Sequence, residues 1–398
     1  MDHRRGPARR WRRDRRSTVN RLGQPRAAPQ RPGGKMIHPV VIIGGGLAGL
    51  IAARALHRAG VAFQLIEARA RLGGRILTVD GFDLGPSWFW PAMQPDFAEH
   101  VRGIGAETFA QWETGDLLFQ RGQGPAQRHP GLRQEPASMR LAGGMAALTA
   151  RLAAELPDRC VRLNARATAL TLGRNGVTVR IDDGCDLIAS HVLLSLPPRL
   201  AASGIAFDPL LPPAILRLWR STPTWMAPHA KVVAVYDRPF WRAAGLSGAA
   251  RSQVGPLVEI HDATTADSRP ALFGFVGVPA QKRARAGQAA LIAAALRQLT
   301  LLFGAAAAEP VATHYKDWAA DPLTATPFDL TDGAHPAPAR RPWIEGDWTG
   351  RLDLIGSETS LEFPGYLAGA HEAALRGTAA LVARLDHPPT SQRNAPCA

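Results

Sequence analysis

Residues 40–66 read VVIIGGGLAGLIAARALHRAGVAFQLI, and this stretch decides the fold. The β-branched run at 40–43 predicts a strand buried on both faces of a parallel sheet. The pattern G-x-G-x-x-G follows and leads into an Ala- and Leu-rich segment that favours a helix. A second strand then ends at Glu67, where an acid can bind ribose hydroxyls. The stretch therefore predicts a βαβ unit that binds an adenine dinucleotide, and a Gly-rich turn without a ligand is the simpler alternative.

Each glycine of the pattern has its own task. Gly44 makes the tight turn, Gly46 lets a pyrophosphate approach the backbone, and Gly49 lets the helix pack closely on the strand. The phosphates are then expected over the N-terminus of the helix, where backbone N–H groups and the helix dipole favour an anion.

The next segment indicates which dinucleotide is bound. Residues 67–75, EARARLGGR, resemble the second signature of the flavin-containing amine oxidases, a monoamine oxidase-like family. Residues 81–91 resemble the family's segment that lies against the flavin, although their aromatics could equally anchor one domain on another. Residues 355–370, IGSETSLEFPGYLAGA, resemble its closing motif, with Ser357 in place of threonine. The resemblance covers residues 37 to about 385 and implies FAD.

The resemblance also implies a set of cofactor contacts. Ten of these residues belong to the dinucleotide motif and the second signature, and eight belong to the later segments. These residues are Gly44, Gly46, Leu47, Ala48, Gly49, Glu67, Ala68, Arg69, Gly74 and Arg75, then Ser87, Trp88, Trp318, Gly356, Ser357, Glu358, Gly365 and Tyr366.

Three residues are expected to act on the substrate or on oxygen. In the family, a lysine at the place of Lys231 holds a water against flavin N5, and Tyr366 would form one wall of an aromatic slot. The second wall falls by count on Phe328. The simpler alternatives are a surface lysine on a strand for Lys231 and core packing for Tyr366.

The predicted fold class is α/β with an α+β second domain. A Rossmann-like FAD-binding domain of the glutathione-reductase type is joined to a discontinuous sheet-plus-helix substrate domain. We expect the FAD domain to hold residues 36–95, 140–220 and 320–385, and the substrate domain to hold 96–139 and 221–319. Residues 386–398 are expected to form a flexible C-terminus.

Composition limits the location and the chemistry. The chain has 398 residues, 3 cysteines and a formal net charge of +14. Cys160, Cys185 and Cys397 are too scattered for a metal site or a disulfide framework, which favours the reducing cytoplasm. No run of eighteen apolar residues is present, so a soluble protein without a membrane anchor is expected.

Residues 1–35 carry most of the excess positive charge. They hold twelve basic and two acidic residues and almost no apolar ones, which favours disorder. An inert extension preceding a start at Met36 is favoured over polyanion binding or targeting, so nucleic acid is not an expected partner.

The resulting hypothesis is a FAD enzyme that oxidises the C–N bond of a small amine by hydride transfer to flavin N5, with O2 as electron acceptor. Pro327 stands, by count, where covalent-FAD relatives have a cysteine, so FAD is expected to be non-covalent. A C–C desaturase, a porphyrinogen-oxidising enzyme and a non-catalytic FAD- or polyanion-binding protein are the alternatives. The oligomeric state is open, with a dimer as one option.

Overall fold

The computed structural model describes residues 37–386 except 132, 332 and 340. The basic segment 1–35, Cys397 and almost all of the predicted C-terminal segment therefore lie outside the described residues. The strands, in chain order, are β1 (Ile37–Ile43), β2 (Phe63–Ile66), β3 (Thr78–Val79), β4 (Phe82–Asp83), β5 (Thr108–Ala110), β6 (Asp116–Gln120), β7 (Gln127–His129), β8 (Met139–Leu141), β9 (Val161–Arg162), β10 (Ala167–Gly173), β11 (Gly176–Ile181), β12 (Asp186–Leu194), β13 (Ala206–Asp208), β14 (Ala230–Val235), β15 (Leu246–Ser252), β16 (Leu257–Asp262), β17 (Ala271–Val276), β18 (Ala312–Asp317) and β19 (Leu352–Leu354).

Helices connect and cover these strands. They are α1 (Leu47–Arg58), α2 (Pro95–Gly103), α3 (Ala146–Ala154), α4 (Pro198–Gly204), α5 (Pro213–Ser221), α6 (Phe240–Ala243), α7 (Ala280–Ala286), α8 (Gln288–Phe303) and α9 (Leu367–Asp386). Short 3-10 helices include Pro327–Leu330 and Ser357–Thr359. The predicted helix at 288–303 is confirmed, and it lies between two glycines with positive φ.

The first sheet has the order β13-β10-β11-β12-β1-β2-β9, with β19 also paired to β12. Strand β1 runs parallel to both β12 and β2, as expected for a dinucleotide-binding unit. Alternate residues of β1 pack into the two hydrophobic cores on the opposite faces of the first sheet. Val40 and Ile42 pack with α1, α2, α3 and α9, whereas Val41 and Ile43 pack with β10, β11 and α5.

The second sheet has the order β18-β14-β17-β16-β15-β6-β7. One face packs on α8, through residues such as Val232, Ile260 and Leu299. On the other face, Val233 and Phe273 pack with Phe82 and Leu84 of the loop that follows β3. The second sheet therefore meets the predicted flavin-contacting loop directly.

One local expectation was wrong. Helix α2, assigned to the substrate domain, packs through Phe97 and Val101 into the core of the first sheet. The segment 122–137 is largely exposed and contains strand β7 at the edge of the second sheet. Strand β14 is buried along its whole length, because it lies between β17 and β18 with both faces covered.

Within the described residues, no single helix is both long and apolar enough to cross a membrane. Helices α7 and α8 meet that requirement only when taken together, and they join at a bend of 103°.

Candidate cofactor and substrate site

The glycine-rich turn joins the end of β1 to the start of α1. Gly44 has a φ of 105°, which favours glycine. A Cβ at Gly49 would lie 1.9 Å from the carbonyl oxygen of Gly44, so only glycine allows the helix to approach the strand this closely. A Cβ at Gly46 would meet nothing nearer than Gly74 Cα, at 4.0 Å. Gly49 therefore serves packing, whereas Gly46 leaves open space beside the turn.

Glu67 closes the turn from the end of β2. Its buried carboxylate accepts hydrogen bonds from the backbone N–H of Gly45 at 2.7 Å and of Arg69 at 2.8 Å. A carboxylate has lone pairs for further donors, such as ribose hydroxyls. The Arg69 side chain turns away and pairs with Asp321 at 3.1 Å.

Arg75 reaches across to the segment that precedes α9. Its guanidinium lies 2.7 Å from Glu358 Oε1 and donates to Ser357 Oγ at 2.9 Å. Glu358 is fully buried, whereas Arg75 keeps part of its side chain accessible. Glu358 therefore holds Arg75 in place, and Arg75 presents the positive charge.

One large cavity of about 960 Å³ begins at the glycine-rich turn and reaches the second sheet. Ser195 Oγ is buried beside the turn without a hydrogen-bond partner among the described residues. Most of the predicted contacts line this cavity, namely Gly44, Gly46, Leu47, Ala48, Glu67, Arg69, Gly74, Arg75, Ser87, Trp88, Lys231, Trp318, Gly356, Ser357, Gly365 and Tyr366. Gly49, Ala68 and Glu358 are not among the lining residues, because they lie behind this surface.

Lys231 is buried on β14, the strand next to the edge of the second sheet, so it is not a surface residue. Its ammonium donates to the carbonyl oxygens of Asp83 and Gly85 at 3.0 and 2.9 Å and to Ser87 Oγ at 2.8 Å. Burial lowers the pKa of Lys231 to about 7. The three N–H groups of the ammonium are thus committed to the loop at 83–87, which leaves none for the expected water.

Trp318 fixes the same loop from the other side. Its indole N–H donates to the carbonyl oxygen of Leu84 at 2.9 Å, and the Lys316 ammonium lies 4.7 Å from its ring. The loop is therefore attached to the second sheet through two adjacent strands, β14 and β18.

Tyr366 belongs to an aromatic cluster at one end of the cavity. Its ring lies 4.7 Å from Trp225, 5.0 Å from His335 and 6.1 Å from Trp90. Phe328 does not join this cluster. Its side chain is 62% exposed and lies outside the cavity, so its assignment as the second wall is wrong.

Trp225 packs against Tyr366 and lines the cavity, and sequence reasoning missed it. The count from Trp318 failed because it assumed a fixed loop length, whereas Trp225 comes from an earlier segment with no motif around it. Glu259 and His261 also line the cavity. Their spacing of two on a strand places them on one face, a signal that was not used.

Residues 37–386, with their three gaps, contain no group of three His, Cys, Asp or Glu side chains placed to hold a metal ion. Neither of the two cysteines described, Cys160 and Cys185, lines the cavity.

These features define a two-domain dinucleotide-binding protein whose nucleotide site opens into an aromatic substrate cavity. Comparisons with protein families agree. Residues 127–382 match the flavin containing amine oxidoreductase family, and residues 42–103 match an NAD(P)-binding Rossmann-like domain. The chain belongs to the flavin-containing amine oxidoreductases and has their two-domain fold.

Individual relatives give the same family. "Probable flavin-containing monoamine oxidase A" of Dictyostelium discoideum is 28% identical over 62% of this chain, and the match spans 53% of that relative, about half its length. Putrescine oxidase of Kocuria rosea is 26% identical over 73% of this chain and 85% of its own. A solved putrescine oxidase structure with bound putrescine superposes with a TM-score of 0.73 at 24% identity, covering 88% and 100% of the two chains, which supports the fold.

The family implies a flavin, and the residues present fit one. The space beside Gly46 would be filled by a single Cβ, as expected where a pyrophosphate approaches the backbone. The accessible guanidinium of Arg75 supplies a donor to the cavity, and Ser195, whose hydroxyl has no partner among the described residues, also lines it.

Proposed function

We propose that this protein binds FAD non-covalently and oxidises the C–N bond of a small amine, with O2 as electron acceptor. The observation that carries the proposal is the single cavity that joins the glycine-rich turn to the aromatic cluster around Tyr366. A bound flavin would supply the redox chemistry, accepting a hydride from the carbon next to the amine nitrogen and passing the electrons to O2.

The residues around the turn would hold the cofactor. Gly46 and the N-terminus of α1 offer backbone donors to the phosphates, and Glu67 offers acceptor oxygens to the ribose. Arg75, held by Glu358, adds a fixed positive charge. Hydrogen bonds and an ion pair within the protein hold Glu67 and Arg75 in position. This reduces the conformational entropy that these side chains lose when FAD binds.

The aromatic cluster would select the form of the amine. Moving an ammonium into an aromatic slot without a charged partner costs several kcal/mol, on the order of the penalty for burying an unpaired charge. Tyr366 and Trp225 therefore favour a neutral amine with apolar substituents. They also exclude water from the place where the amine meets the cofactor.

Two observations support a non-covalent cofactor. Pro327, at the place counted for a flavin-linking cysteine, lies in an exposed 3-10 helix outside the cavity. The cysteines of the described segment are equally remote from it. A cytoplasmic location remains part of the proposal and rests on the few, scattered cysteines of the sequence.

An anaerobic screen of amines and amino acids tests the proposal. We expect at least one small amine to bleach the absorbance of the bound flavin, and admission of air to restore it. Bleaching by an unsaturated or porphyrinogen substrate without any response to amines would favour the C–C desaturase class. FAD binding without bleaching by any compound would favour a non-catalytic protein.

A further inference from the structure

On one face of the second sheet, a row of charged and aromatic side chains lies along the cavity. Neighbouring strands pair Arg251 with Glu259, Glu259 with Phe275, and Phe275 with Lys231. Residues paired in this way point to the same face of a sheet. His261, two residues after Glu259, lies on that face in the next row.

Glu259 and His261 form a hydrogen-bonded pair. Glu259 Oε1 lies 2.7 Å from His261 Nε2, and both residues line the cavity. The hydrogen bond from His261 lowers the pKa of Glu259, so the carboxylate is ionised at neutral pH and can only accept. Nε2 must therefore be the donor in this hydrogen bond, which leaves Nδ1 as the second ring nitrogen.

The free nitrogen is accessible. Nδ1 of His261 makes no hydrogen bond with any described residue, and it is not among the buried unpaired atoms. The ring is fixed by stacking on Phe273, with centroids 5.3 Å apart and planes at 26°, and by an edge contact with Trp88 at 4.9 Å. Trp88 follows Ser87, whose hydroxyl oxygen accepts a hydrogen bond from the Lys231 ammonium. The imidazole thus sits in the cavity wall beside the loop expected against the flavin.

A small amine needs a proton acceptor in this cavity. Aliphatic amines are mostly ammonium ions at neutral pH, since the pKa of an alkylammonium resembles that of lysine, about 10.4. An ammonium has no lone pair on nitrogen to assist loss of hydride from the neighbouring carbon. The proton must therefore leave before the redox step.

Other groups in the described part of the cavity are poorer acceptors. Lys231 is already committed to three hydrogen-bond acceptors. His229 also lines the cavity, but burial and the nearby charge of Arg283 lower its pKa. Of these three groups, His261 alone combines a ring nitrogen without a hydrogen bond to any described residue with a carboxylate 2.7 Å from its other nitrogen.

We propose that His261, supported by Glu259, accepts the proton of the bound ammonium substrate. In this step the N–H bond of the ammonium breaks, and its proton forms a bond with Nδ1. The products are a neutral amine and an imidazolium whose Nε2–H faces the Glu259 carboxylate. No oxidant is needed, and the proton stays on His261 until the oxidised product has left the cavity. The inference rests on the proposed amine oxidation and adds a residue to it.

Charged groups near the Glu259–His261 pair influence the equilibrium of proton transfer from the amine to His261. Glu259 lies on the same strand, Arg251 on β15 and Lys231 on β14, while Glu113 and Arg133 come from the segment across the cavity. The Arg251 side chain is 63% exposed, so solvent screens much of its effect. The directly bonded Glu259 carboxylate is then the strongest local influence on His261.

The first test compares pH profiles of kcat/KM for the amine identified by the anaerobic screen. His261→Gln keeps the size and polarity of the side chain but has no basic nitrogen. We expect a loss of roughly 100-fold near pH 7 that disappears towards pH 10, where the free amine is already neutral. Glu259→Gln should show a smaller loss of about tenfold with the same recovery.

His314→Gln is the matched control, because His314 lies in the same row of the sheet beyond Val233 and outside the cavity lining. It should leave the profile unchanged. A loss in His261→Gln that is equal at every pH would overturn the inference and make His261 a wall residue. Failure of the wild-type protein to oxidise any amine would instead refute the proposed function.

A second test counts protons without turnover. The probe is the α,α-dimethyl analogue of the same amine, which has no C–H bond next to nitrogen to lose. Its binding to the FAD-loaded protein is measured calorimetrically at pH 8 in buffers of different ionisation enthalpy. We expect almost no proton release from the wild type, since His261 takes the proton, and close to one proton released per amine bound in His261→Gln. Equal release from both proteins would contradict the proposal.

Discussion

Gly46 and Gly49 belong to one turn, but a methyl group added at each would meet different surroundings. Gly46→Ala places a Cβ in open space of the cavity, and its backbone, with φ of −73°, accepts any residue. We expect an unchanged Tm of the apoprotein and at least about tenfold weaker FAD binding, because the methyl group takes the place of the pyrophosphate.

Gly49→Ala is the matched comparison, because its Cβ would collide with the Gly44 carbonyl oxygen at 1.9 Å. We expect destabilisation of more than about 4 kcal/mol or failure to fold. Thermal melts of both apoproteins and FAD titrations would measure the difference. Equal effects of the two substitutions on folding would contradict the separation of packing from cofactor binding.

Lys231 gives a second prediction at this scale. Lys231→Met removes the donor for two carbonyl oxygens of the loop at 83–87, which should cost about 1–3 kcal/mol and lower flavin content. Exposed Lys282 offers a control, and Lys282→Met should stay within about 0.5 kcal/mol of wild type. Denaturant melts and flavin absorbance would measure both effects.

The sequence-based expectation for Lys231 leads to a different outcome. If Lys231 acts mainly through a water at the flavin, Lys231→Met should keep its flavin and its stability while reoxidation by O2 slows. Stopped-flow measurement of the reductive and oxidative half-reactions would show this, and that result would contradict an anchoring role.

Tyr366 and Phe328 form a third comparison. Tyr366→Ala opens the aromatic cluster and should lower kcat/KM for the amine by about tenfold or more, while FAD affinity changes less than about twofold. Phe328→Ala should change neither, since that ring is exposed. An equal loss of FAD binding and turnover in Tyr366→Ala would make Tyr366 a packing residue.

At the scale of elements, helices α2 and α9 meet through two histidines. The rings of His100 and His371 lie 4.6 Å apart. Burial, with a further contribution from His371, lowers the pKa of His100 to about 4 from its ordinary 6.5. Between pH 4 and 6.5 the unfolded chain therefore binds more protons at this position, so the free energy of unfolding falls as pH falls through that window.

His100→Leu should remove this dependence. Because His100 is only partly buried, we expect the effect to be on the order of 1 kcal/mol after solvent screening. The denaturant midpoint of the wild type should therefore fall relative to that of the variant from pH 6.5 to pH 4. His129→Leu, at an exposed position, is the control. Parallel curves for wild type and His100→Leu would show that the His100–His371 contact does not sense pH.

Elements with strong local patterns could be predicted from the sequence. The βαβ unit at 37–66 and helix α8 match their patterns because apolar periodicity and bounding glycines act locally. Helix α2 was assigned to the wrong core, since its apolar face fits either sheet and only tertiary contacts decide. The contact between Trp225 and Tyr366 joins two segments far apart in the chain, which a single sequence does not display. The Glu259–His261 pair is local to β16, but only the pairing of β16 with β17 and β15 shows that it faces the cavity.

At the scale of the whole molecule, the cavity lies between residues from both sheets. A non-covalent FAD would therefore contact both and stabilise the folded state by mass action. At a free FAD concentration 100 times its Kd, we expect a gain of about 2.7 kcal/mol over the apoprotein. Thermal melts across an FAD titration would measure it.

Acid precipitation provides the companion measurement. All of the yellow colour should pass into the supernatant if FAD is not covalently attached. Flavin retained in the pellet would contradict the proposed mode of binding, and a Tm independent of FAD would contradict its contact with both sheets.

The second sheet has apolar residues on the face that packs against α8 and polar residues on the face that lines the cavity. Val232 and Ile260 point to α8, whereas Lys231, Glu259 and His261 point to the cavity. A combinatorial library restricted to cavity-facing positions of β15, β16 and β17 would leave the packing against α8 untouched. Such a library should yield mostly folded variants, so this protein offers a starting scaffold for directed evolution towards new amines.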